Sequence, residues 1–436
     1  MQENAKLLID QDLAHIWHPC TQMKDHEVIP LIPIRRGEGA YLFDFDDNSY
    51  IDAVSSWWVN LFGHCNPYIN QKIKEQVDTL EHVIFAGFTH EPIIKLSKRL
   101  CEITPPGLSK CFYADNGSSA IEVALKMSFQ YHKNRGEKRP FFVSLENSYH
   151  GETIGALSVG DVKLYKEVFE GILIQTLQTP VPENQTEEAA EVAAKALETL
   201  LNERGYEISA LIIEPLVQCA GGMHMYHPLY ISLARSLCDK HGIHLIADEI
   251  AVGFGRTGTM FACEQAGVSP DFMALSKGLT GGYLPLSVVL TTNEIYDAFY
   301  CDYHELKSFL HSHSYTGNPL ACCAANAALD IFENEHIIEK NREKIAFIKV
   351  QLERFKALAC VKEVRQTGMI AAVELHQKDT QRRVNLEIFQ YALSKGVLLR
   401  PLGNVVYFMP PYILTCKEIE MMMDAAYEAI VSLKDF

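Results

Sequence analysis

Short apolar segments that alternate with helical patterns constrain the fold of this chain more than any other feature of its sequence. The segments are apolar at most positions, which is typical of strands buried on both faces of a sheet. Helices are predicted between them, among others at roughly 187–204 and 228–240. The alternation predicts an α/β fold with a parallel sheet that helices cover on both faces. The predicted strands are residues 110–113, 141–145, 208–213, 243–247, 272–275 and 286–290.

The chain on either side of this region predicts a second unit of α+β type. Two alternating runs between residues 40 and 54 flank the polar residues 46–48 and predict a β-hairpin. After the turn at 316–319, the patterns predict a long helical region (about 319–357), strands within 362–375, a helix near 384–395, strands at 397–400 and 405–409, and a final helix from about 417. We expect a large domain at residues 61–319 and a small domain made of residues 1–60 and 320–436.

Two local patterns add sharper predictions. Ser119 and Glu122 match a capping box that would start the helix after the strand at 110–113, and Gly136 would end that helix. Upstream, Trp57 and Trp58 are adjacent in the sequence. On a strand their side chains would face opposite sides, so at most one of the two rings needs to belong to the core.

Composition excludes several classes of partner. Acidic residues (55) outnumber Lys plus Arg (39), the formal charge is −16, and no Lys/Arg cluster stands out. This argues against nucleic acid and anionic membranes as partners. The twelve cysteines form no Cys-x-x-Cys pairs, which suits reduced core thiols in a cytoplasmic protein. We also expect neither a signal peptide nor a membrane span.

Polar groups stand just past the ends of several predicted strands. They are Glu214, Asp248 and Lys277, the turn with Gly117 and Ser118, and the loop with Tyr149. Ligands of an open parallel sheet bind outside the carboxyl ends of its strands, so these groups are expected to form one site. Each also has an ordinary structural interpretation: Lys277 could extend its ammonium to water, Asp248 could cap a turn, and Ser118 could cap a helix.

Together the groups suit pyridoxal phosphate as a cofactor. The backbone N–H groups of Gly117 and Ser118 could hold a phosphate at a helix N-terminus. A buried Asp248 would keep the pyridinium nitrogen protonated, and Lys277 would form the Schiff base and later act as the base that moves a proton. Tyr149 could stack on the ring, and Glu214 would lie near Asp248.

Two other motifs point to different chemistry. Residues 253–258 match the G-x-G-x-x-G dinucleotide fingerprint, but no convincing helix follows, and no acid ends a second strand about twenty residues on, as the fingerprint requires. His311 and His313 could present two imidazoles to a metal, but no third ligand with suitable spacing is evident, so we expect no metal site. A nucleotide-binding oxidoreductase that uses residues 253–258 is kept as an alternative from a different class of enzyme.

The same residues carry a resemblance to the class III (ω) aminotransferases, which are pyridoxal phosphate enzymes of fold type I. Within that family the sequence resembles the branch that acts in biotin synthesis, with the paired tryptophans and the Arg400 segment as the more specific parts. Other ω-aminotransferases, acting on ornithine, GABA or a β-amino acid, are the nearest alternative. The resemblance rests on Asp248, Glu249, Gly253–Phe254–Gly255–Arg256, Ser276–Lys277–Gly278, His18–Pro19–Cys20–Thr21, Ser55–Ser56–Trp57–Trp58, Tyr149–His150–Gly151, Arg400–Pro401 and Met409–Pro410–Pro411–Tyr412.

The resemblance implies a large domain with a mostly parallel seven-stranded sheet, a small domain from both termini, and a homodimer with sites at the interface. Lys277 matches the Schiff-base lysine, Asp248 the pyridinium partner and Tyr149 the stacking ring, with Gly117, Ser118 and Glu214 also at the cofactor. Ser314 matches a phosphate-binding position contributed by the neighbouring subunit. Trp57 and Arg400 match the residues that hold the keto substrate, and Ser312 is taken as a further substrate contact.

The implied reaction transfers an amino group to 7-keto-8-aminopelargonate. Most members of that branch take the group from S-adenosylmethionine. Here Cys20 replaces the usual tyrosine, and the segments 281–285 and 311–317 look more like the sub-branch that uses lysine. The donor therefore stays open between S-adenosylmethionine and lysine.

Overall fold

The computed structural model describes residues 3–376 and 381–433. The strands, in chain order, are β1 Ile34–Glu38, β2 Tyr41–Asp44, β3 Ser49–Asp52, β4 Leu108–Ala114, β5 Phe141–Leu145, β6 Leu177–Thr179, β7 Ile208–Ile213, β8 Val217–Gln218, β9 His224–Met225, β10 His244–Asp248, β11 Phe272–Leu275, β12 Ser287–Thr292, β13 Val361–Thr367, β14 Ile370–Leu375, β15 Val397–Leu398 and β16 Val405–Phe408.

The helices follow the same order. They are α1 Glu3–His15, α2 Ser55–Trp58, α3 Pro67–Val77, α4 Glu91–Ile103, α5 Gly117–Asn134, α6 Ile154–Val159, α7 Lys163–Lys166, α8 Glu187–Arg204, α9 Leu229–His241, α10 Asn293–Asp297, α11 Pro319–Glu335, α12 Ile337–Leu352, α13 Val384–Ser394 and α14 Cys416–Ser432. Short 3₁₀ helices include Ala262–Ala266 and Lys277–Thr280.

The chain divides into two units. The first comprises Met1–Pro67, Ala346–Val364 and Ala371–Phe436, and the second comprises Tyr68–Ile345 and Arg365–Ile370. The unit borders near residues 67 and 345 differ from the domain borders that the sequence predicted at 60 and 319. Helix α11 packs against α4, so residues 319–335 lie in the second unit and not in the first.

The second unit is built on a seven-stranded sheet in the order β4-β12-β11-β10-β7-β5-β6. The pairs from β11 through β6 are parallel, whereas β12 runs antiparallel to both β11 and β4. The central strands β7, β10 and β11 are buried at every residue. The predicted α/β class and its mostly parallel seven-stranded sheet are therefore confirmed.

The first unit contains the predicted hairpin. Strands β2 and β3 pair antiparallel, and Asp44 Oδ1 accepts hydrogen bonds from the backbone N–H groups of Asp46 (2.9 Å) and Asn48 (2.9 Å) in the turn. Strand β15 pairs in parallel with β3, and the sheet is ordered β1-β2-β3-β15. Strands β14 and β16 pair antiparallel over residues 371–374 and 405–408.

Residues 55–58 do not form a strand. Ser55, Ser56, Trp57 and Trp58 all have positive φ, between 46° and 75°, and form one left-handed helical turn. L-residues pay about 1–2 kcal/mol each in this conformation, so surrounding contacts must hold it. As predicted, a single ring joins the core: Trp58 is 4 % exposed, and Trp57 is 41 % exposed.

The start of α5 also differs from the prediction. The N-cap is Asn116, whose Oδ1 accepts from the N–H of Ser119 at 3.1 Å, and the helix begins at Gly117. Glu122 does not complete a capping box, because its Oε1 accepts from Gly155 N at 2.7 Å and from Ala156 N at 3.2 Å. Gly136 follows the helix with a φ of +81°, as its predicted end requires.

Three further observations bear on the sequence predictions. Helix α1 was not predicted, because residues 1–37 show little apolar periodicity. Among the described residues, no helix is both long and apolar enough to cross a membrane. Within the same residues, no group of three or more His, Cys, Asp or Glu side chains is arranged to hold a metal ion.

Candidate active site

The ends of three neighbouring strands bring the predicted charged residues together in the second unit. Strand β10 ends at Asp248, which is in register with Ala274 of β11, and Lys277 follows β11. Glu214 follows directly after β7, which pairs with β10 on its other side. Parallel strands place their carboxyl ends at one edge of the sheet, so the three side chains share that edge.

Asp248 is held by two hydrogen bonds. Its Oδ2 lies 2.8 Å from Nδ1 of His150, and its Oδ1 accepts from the backbone N–H of Ile250 at 3.1 Å. Both side chains are buried, with Asp248 5 % and His150 2 % exposed. A carboxylate only accepts hydrogen bonds, so Nδ1 of His150 carries the proton in this pair. The Nε2 atom of His150 is buried and has no hydrogen-bond partner among the described residues.

Glu214 connects two loops at the same edge. Its Oε2 accepts from the backbone N–H of Tyr149 at 2.9 Å, and its Oε1 accepts from Cys219 N at 3.1 Å. Burial, followed by the nearby Asp248 charge, raises the pKa of Glu214 well above its ordinary value. The carboxyl group therefore positions the backbone of Tyr149, and burial together with the nearby Asp248 charge favours its protonated form.

Lys277 lies partly buried at the start of a 3₁₀ helix with a φ of +43°. Such a backbone conformation is costly for a residue with a side chain, and strained residues of this kind cluster at functional sites. Burial lowers the pKa of the Lys277 ammonium, and the nearby Cys219, Asp248 and Glu214 oppose that shift. An amine with a lowered pKa is a better nucleophile and base near neutral pH.

The N-terminus of α5 forms the other end of the site. Ser118 Oγ accepts from the backbone N–H of Glu152 at 3.3 Å, so the loop after Tyr149 lies against this helix start. A Cβ atom on Gly151 would stand 2.1 Å from Ser118 Oγ, and Gly151 has a φ of +125°. The free N–H groups at the start of a helix bind anions. Gly117 and Ser118 thus offer an anion site with no room for a side chain at Gly151.

Tyr149 is partly buried and is fixed at both ends. Its hydroxyl donates to Glu152 Oε1 at 3.0 Å, and its ring contacts the Tyr165 ring at 5.4 Å between centroids. Glu214 holds its backbone N–H, as described above. The residue is therefore oriented by the same loops that position Ser118 and Asp248.

Ser312 and Ser314 lie on an exposed segment of the second unit. The two neighbouring histidines contact each other, with 3.1 Å between Nε2 of His311 and Nε2 of His313. The His311 Nδ1 lies 2.9 Å from Lys126 Nζ, and the His313 Nδ1 lies 3.7 Å from Asp115. No contact joins Ser312 or Ser314 to Lys277 or Asp248 within the described chain, so these two positions stay predictions.

Trp57 and Arg400 lie in the first unit, where they contact each other. The Arg400 guanidinium carbon stands 4.5 Å from the centre of the Trp57 ring, and both side chains are exposed. The left-handed turn that presents Trp57 is held by Asp52, which accepts from Ser56 N at 2.9 Å and from Ser56 Oγ at 2.7 Å. A cation that stacks on an indole keeps its N–H groups available for a carboxylate.

Cys20 lies in the first unit. It is exposed and has a φ of +51°.

The sequence predicted no role for His150 or Gly151, although both stand in the motif Tyr149–His150–Gly151. The missing information is spatial: Asp248 and its partner His150 are 98 positions apart in the sequence. A histidine directly after the candidate ring-stacking tyrosine was the one available signal. Its function depends on which strand lies next to its loop, and a single sequence does not give the order of strands.

The second unit fits pyridoxal phosphate on its own geometry. The site combines a buried carboxylate with a partly buried lysine of lowered pKa, and its helix N-terminus lies so close to Gly151 that a Cβ atom there would force Ser118 to move. The unpartnered Nε2 of His150 also belongs to a buried polar cluster built around Asp248. Sheet topology and site together define a pyridoxal phosphate-dependent transferase of fold type I.

Comparison with known proteins places the chain within that class. The family model described as aminotransferase class-III matches residues 21–430, and the chain belongs to this family. Enzymes of the family depend on pyridoxal phosphate, and so does this one. The match leaves out only short stretches at the two ends of the chain, so both units lie within the family's domain.

Several relatives match over nearly their full length. A Helicobacter pylori protein named adenosylmethionine-8-amino-7-oxononanoate aminotransferase is 53 % identical, with 99 % of each chain covered. A Geobacter sulfurreducens protein of the same name is 44 % identical, with 98 % of each chain covered. The solved structure of the enzyme of that name from Methanocaldococcus jannaschii has a TM-score of 0.94 and 39 % identity, covering 98 % of this chain and 99 % of that one. A Thermomicrobium roseum ω-transaminase has a TM-score of 0.95 at 28 % identity, with both chains covered completely.

Proposed function

We propose that this enzyme transfers an amino group to 8-amino-7-oxononanoate (7-keto-8-aminopelargonate) and forms 7,8-diaminopelargonate, a step of biotin synthesis. The observation that carries the proposal is the full-length agreement, at up to 53 % identity, with relatives named for this acceptor. Arg400 stacked on Trp57 supports it, because the acceptor carries a carboxylate that a guanidinium group would bind.

Pyridoxal phosphate, when bound, supplies an electron-withdrawing ring that stabilises negative charge on the substrate carbon. Asp248 would keep a proton on the ring nitrogen, because a carboxylate at that atom favours the protonated form. His150 fixes the orientation of Asp248 through the 2.8 Å hydrogen bond. Tyr149 would pack against the ring face, and Glu214 positions the backbone of Tyr149.

Lys277 would hold the cofactor covalently through Nζ and then act as the general base and acid. Its lowered pKa increases the fraction of neutral amine near pH 7, so Nζ can take a proton from the substrate carbon and return it elsewhere. Gly117 and Ser118 would hold the phosphate with their backbone N–H groups and the serine hydroxyl. Ser314 of a neighbouring subunit would add a further hydroxyl, and Ser312 would contact the substrate.

The amino donor follows the names of the relatives, which specify adenosylmethionine. Cys20 is the reason to test lysine beside it, because a thiol replaces the tyrosine hydroxyl that the resemblance leads one to expect. We further propose that the enzyme is a cytoplasmic homodimer, in keeping with its twelve free cysteines and with sites completed by a neighbouring subunit.

An absorbance titration tests the proposal. Purified enzyme with bound cofactor is mixed separately with S-adenosylmethionine and with lysine, and loss of the visible cofactor band identifies the donor. Adding 8-amino-7-oxononanoate should then restore the band and yield diaminopelargonate, detected by mass spectrometry. If a donor bleaches the band but only ornithine-, GABA- or β-alanine-derived carbonyl acceptors restore it, the enzyme is another ω-aminotransferase and the proposal is wrong.

A variant pair completes the test. Lys277→Ala should lose turnover entirely and keep its circular dichroism spectrum, because the substitution removes the base from a partly buried position. Lys195→Ala, on the exposed face of α8, is the matched control and should behave like the wild type. An active Lys277→Ala protein would contradict the assigned role of Lys277.

A further inference from the structure

Two cysteines outside the candidate active site lie in contact. Cys101 is in the last turns of α4, Cys111 is in β4, and their Sγ atoms are 3.8 Å apart. Both thiols are free, and both side chains are partly exposed. We propose that Cys101 and Cys111 form a redox site, at which a peroxide oxidises the two thiols to a reversible intrachain disulfide.

The distance is compatible with bond formation. A disulfide has an S–S length of about 2.05 Å, so the two sulfur atoms need to approach by roughly 1.8 Å. Rotation about the Cα–Cβ bonds moves sulfur atoms over that range without a change of fold. Helix α4 packs on β4, so the two backbones already lie side by side. Because both thiols are partly exposed, a small oxidant can reach them, whereas Cys219, Cys238 and Cys263 are fully buried.

The surroundings assign different roles to the two thiols. A hydrogen bond from Cys111 lowers the pKa of Cys101 to about 7, and the Lys110 ammonium acts in the same direction. Burial and the Glu102 carboxylate oppose that shift. For Cys111, the hydrogen bond to Cys101 and burial raise the pKa far above its ordinary value, with small opposing effects from Ser97 and Tyr113. Cys101 is therefore the thiolate that reacts first, and Cys111 is the thiol that resolves it.

The chemistry balances with peroxide as the only co-reactant. The Cys101 thiolate attacks one oxygen of hydrogen peroxide, the O–O bond breaks, and a sulfenic acid forms while hydroxide leaves and combines with the proton that Cys101 released on ionisation, giving water. The sulfur of Cys111 then attacks Sγ of Cys101, the S–O bond breaks, and the departing oxygen leaves as water with the proton of Cys111. Two thiols lose two electrons in total, and peroxide is reduced to water.

Cys111 lies in the strand that leads to the proposed phosphate site. Strand β4 ends at Ala114, two residues before Asn116, the cap of the helix that opens the proposed phosphate site. Cys111 also pairs in register with Leu290 of β12, inside the main sheet. A covalent link between α4 and β4 would therefore tie to the neighbouring helix the strand that leads into the proposed phosphate site.

Peptide mapping tests the proposal on the cofactor-loaded enzyme. The protein is reduced, desalted and treated with a small molar excess of hydrogen peroxide. Remaining thiols are alkylated, and the protein is digested without reductant. We expect a linked pair of peptides containing Cys101 and Cys111, lighter than the reduced pair by two hydrogens and released by dithiothreitol. Oxidation of Cys101 without this link, or oxidation of Cys20 and Cys65 alone, would overturn the proposal.

Two variants assign the order of events. In Cys101→Ser, Cys111 should stay reduced at the same peroxide dose, because the reactive thiolate is gone. In Cys111→Ser, Cys101 should stop at the sulfenic acid and be labelled by dimedone. Unchanged oxidation of Cys111 in Cys101→Ser would contradict the assigned roles.

The pH profile of the wild type gives an independent measure that needs no variant. With a pKa of about 7, the thiolate fraction of Cys101 rises about tenfold between pH 6 and pH 8 and then levels off. A free thiol such as N-acetylcysteine, near the ordinary cysteine pKa of about 8.5, gains about 75-fold over the same interval and continues to rise. A link that forms with the profile of the free thiol would exclude an activated Cys101.

Discussion

Asp248 is the residue at which the electrostatics of the site converge, because it bonds to His150 and Ile250 and interacts with Lys277 and Glu214. Asp248→Asn keeps the shape and removes the charge, so the cofactor ring nitrogen would lose its proton. We expect turnover to fall by about 100-fold or more, the order seen when one preorganised electrostatic partner is removed. Steady-state kinetics at saturating cofactor measures this effect.

The next residue along the chain provides the control. Glu249 is also buried, but its carboxylate accepts from the backbone N–H groups of Ala262 and Cys263 at 2.8 Å each. Glu249→Gln should lower the melting temperature and leave turnover at saturating cofactor within a few-fold of the wild type. Equal losses of turnover in both variants would mean that any change in this buried region disturbs the site, and that Asp248 has no special role.

Arg400 separates the two halves of the proposed reaction. Arg400→Ala should raise the KM of the keto acceptor by at least tenfold, because a charge-assisted fork to a carboxylate is worth about 1.5–3 kcal/mol. The rate at which the donor bleaches the cofactor band should stay nearly unchanged. Arg400→Lys keeps the charge but not the fork, so its acceptor KM should lie between those of the wild type and of Arg400→Ala. Equal effects on both half-reactions would exclude a specific role in acceptor binding.

For individual residues, the sequence predicted which positions belong to the site better than it predicted their bonding partners. Asp248 and Lys277 were identified because each stands where an apolar strand ends. The left-handed turn at residues 55–58 was not predicted, because nothing in the sequence Ser-Ser-Trp-Trp requires a positive φ. That conformation depends on distant bonds, such as the one from Ser55 Oγ to the Met409 carbonyl oxygen at 2.7 Å. Local propensity carries no information about a partner 354 residues away.

Among the elements, the N-terminus of α5 depends on close contact with the loop at Gly151. Gly151→Ala would bring a methyl group within 2.1 Å of Ser118 Oγ, so Ser118 would have to move. We expect the cofactor dissociation constant, measured by fluorescence, to rise at least tenfold, with an added strain cost of about 1–3 kcal/mol. The substitution displaces Ser118, which would bind the phosphate, and leaves its chemical groups in place.

The opposite end of the same helix offers a matched control. Gly136 also has positive φ, +81°, but a Cβ there would meet nothing within 4 Å. Gly136→Ala should therefore lower the melting temperature through backbone strain and leave cofactor affinity unchanged. If both variants lose cofactor to the same degree, general destabilisation of α5 explains the loss, and the close contact at Ser118 does not.

The sequence predicted some strands with their observed bounds and missed others. The strands at 141–145, 208–213 and 272–275 were predicted with the bounds that are observed, because each is an apolar run with at most one small polar residue. Strand β6 has three residues and no such run, so the residues alone did not reveal it. The antiparallel direction of β12 was not predicted either, since an apolar strand has the same pattern in both directions.

For the whole molecule, a buried histidine pair makes stability depend on pH. His132 and His244 lie 4.7 Å apart between ring centroids, and burial lowers the pKa of both. The unfolded chain takes up protons at these rings below about pH 6.5, whereas the folded chain does so only at lower pH. Stability is therefore fully present above pH 6.5 and falls as the pH decreases, by up to about 1.4 kcal/mol per unit for each ring.

Melting temperatures between pH 7.5 and 5.5, in excess cofactor, test this dependence above the range in which most carboxylates titrate. His244→Gln can keep a hydrogen bond to Ser128, which the ring now makes at 2.9 Å. The variant should show a smaller decrease between pH 6.5 and 5.5 than the wild type. His304→Gln, at an exposed position, is the control and should retain the full decrease. An undiminished decrease in His244→Gln would exclude His244 as a cause of the decrease.

The proposed roles make the assembly of a dimer testable. Ser314 would contribute to the site of a neighbouring subunit, whereas Lys277 contributes to the site of its own subunit. A Lys277→Ala chain and a Ser314→Asp chain should each be inactive, the second because its carboxylate would repel a phosphate. In an equimolar mixture that is unfolded and refolded together, half of the dimers pair one chain of each kind. Each mixed dimer has one site with an intact lysine and an intact serine, so about a quarter of the wild-type activity should return. If Ser314 acts within its own chain, every site in the mixture carries one of the two substitutions and no activity returns.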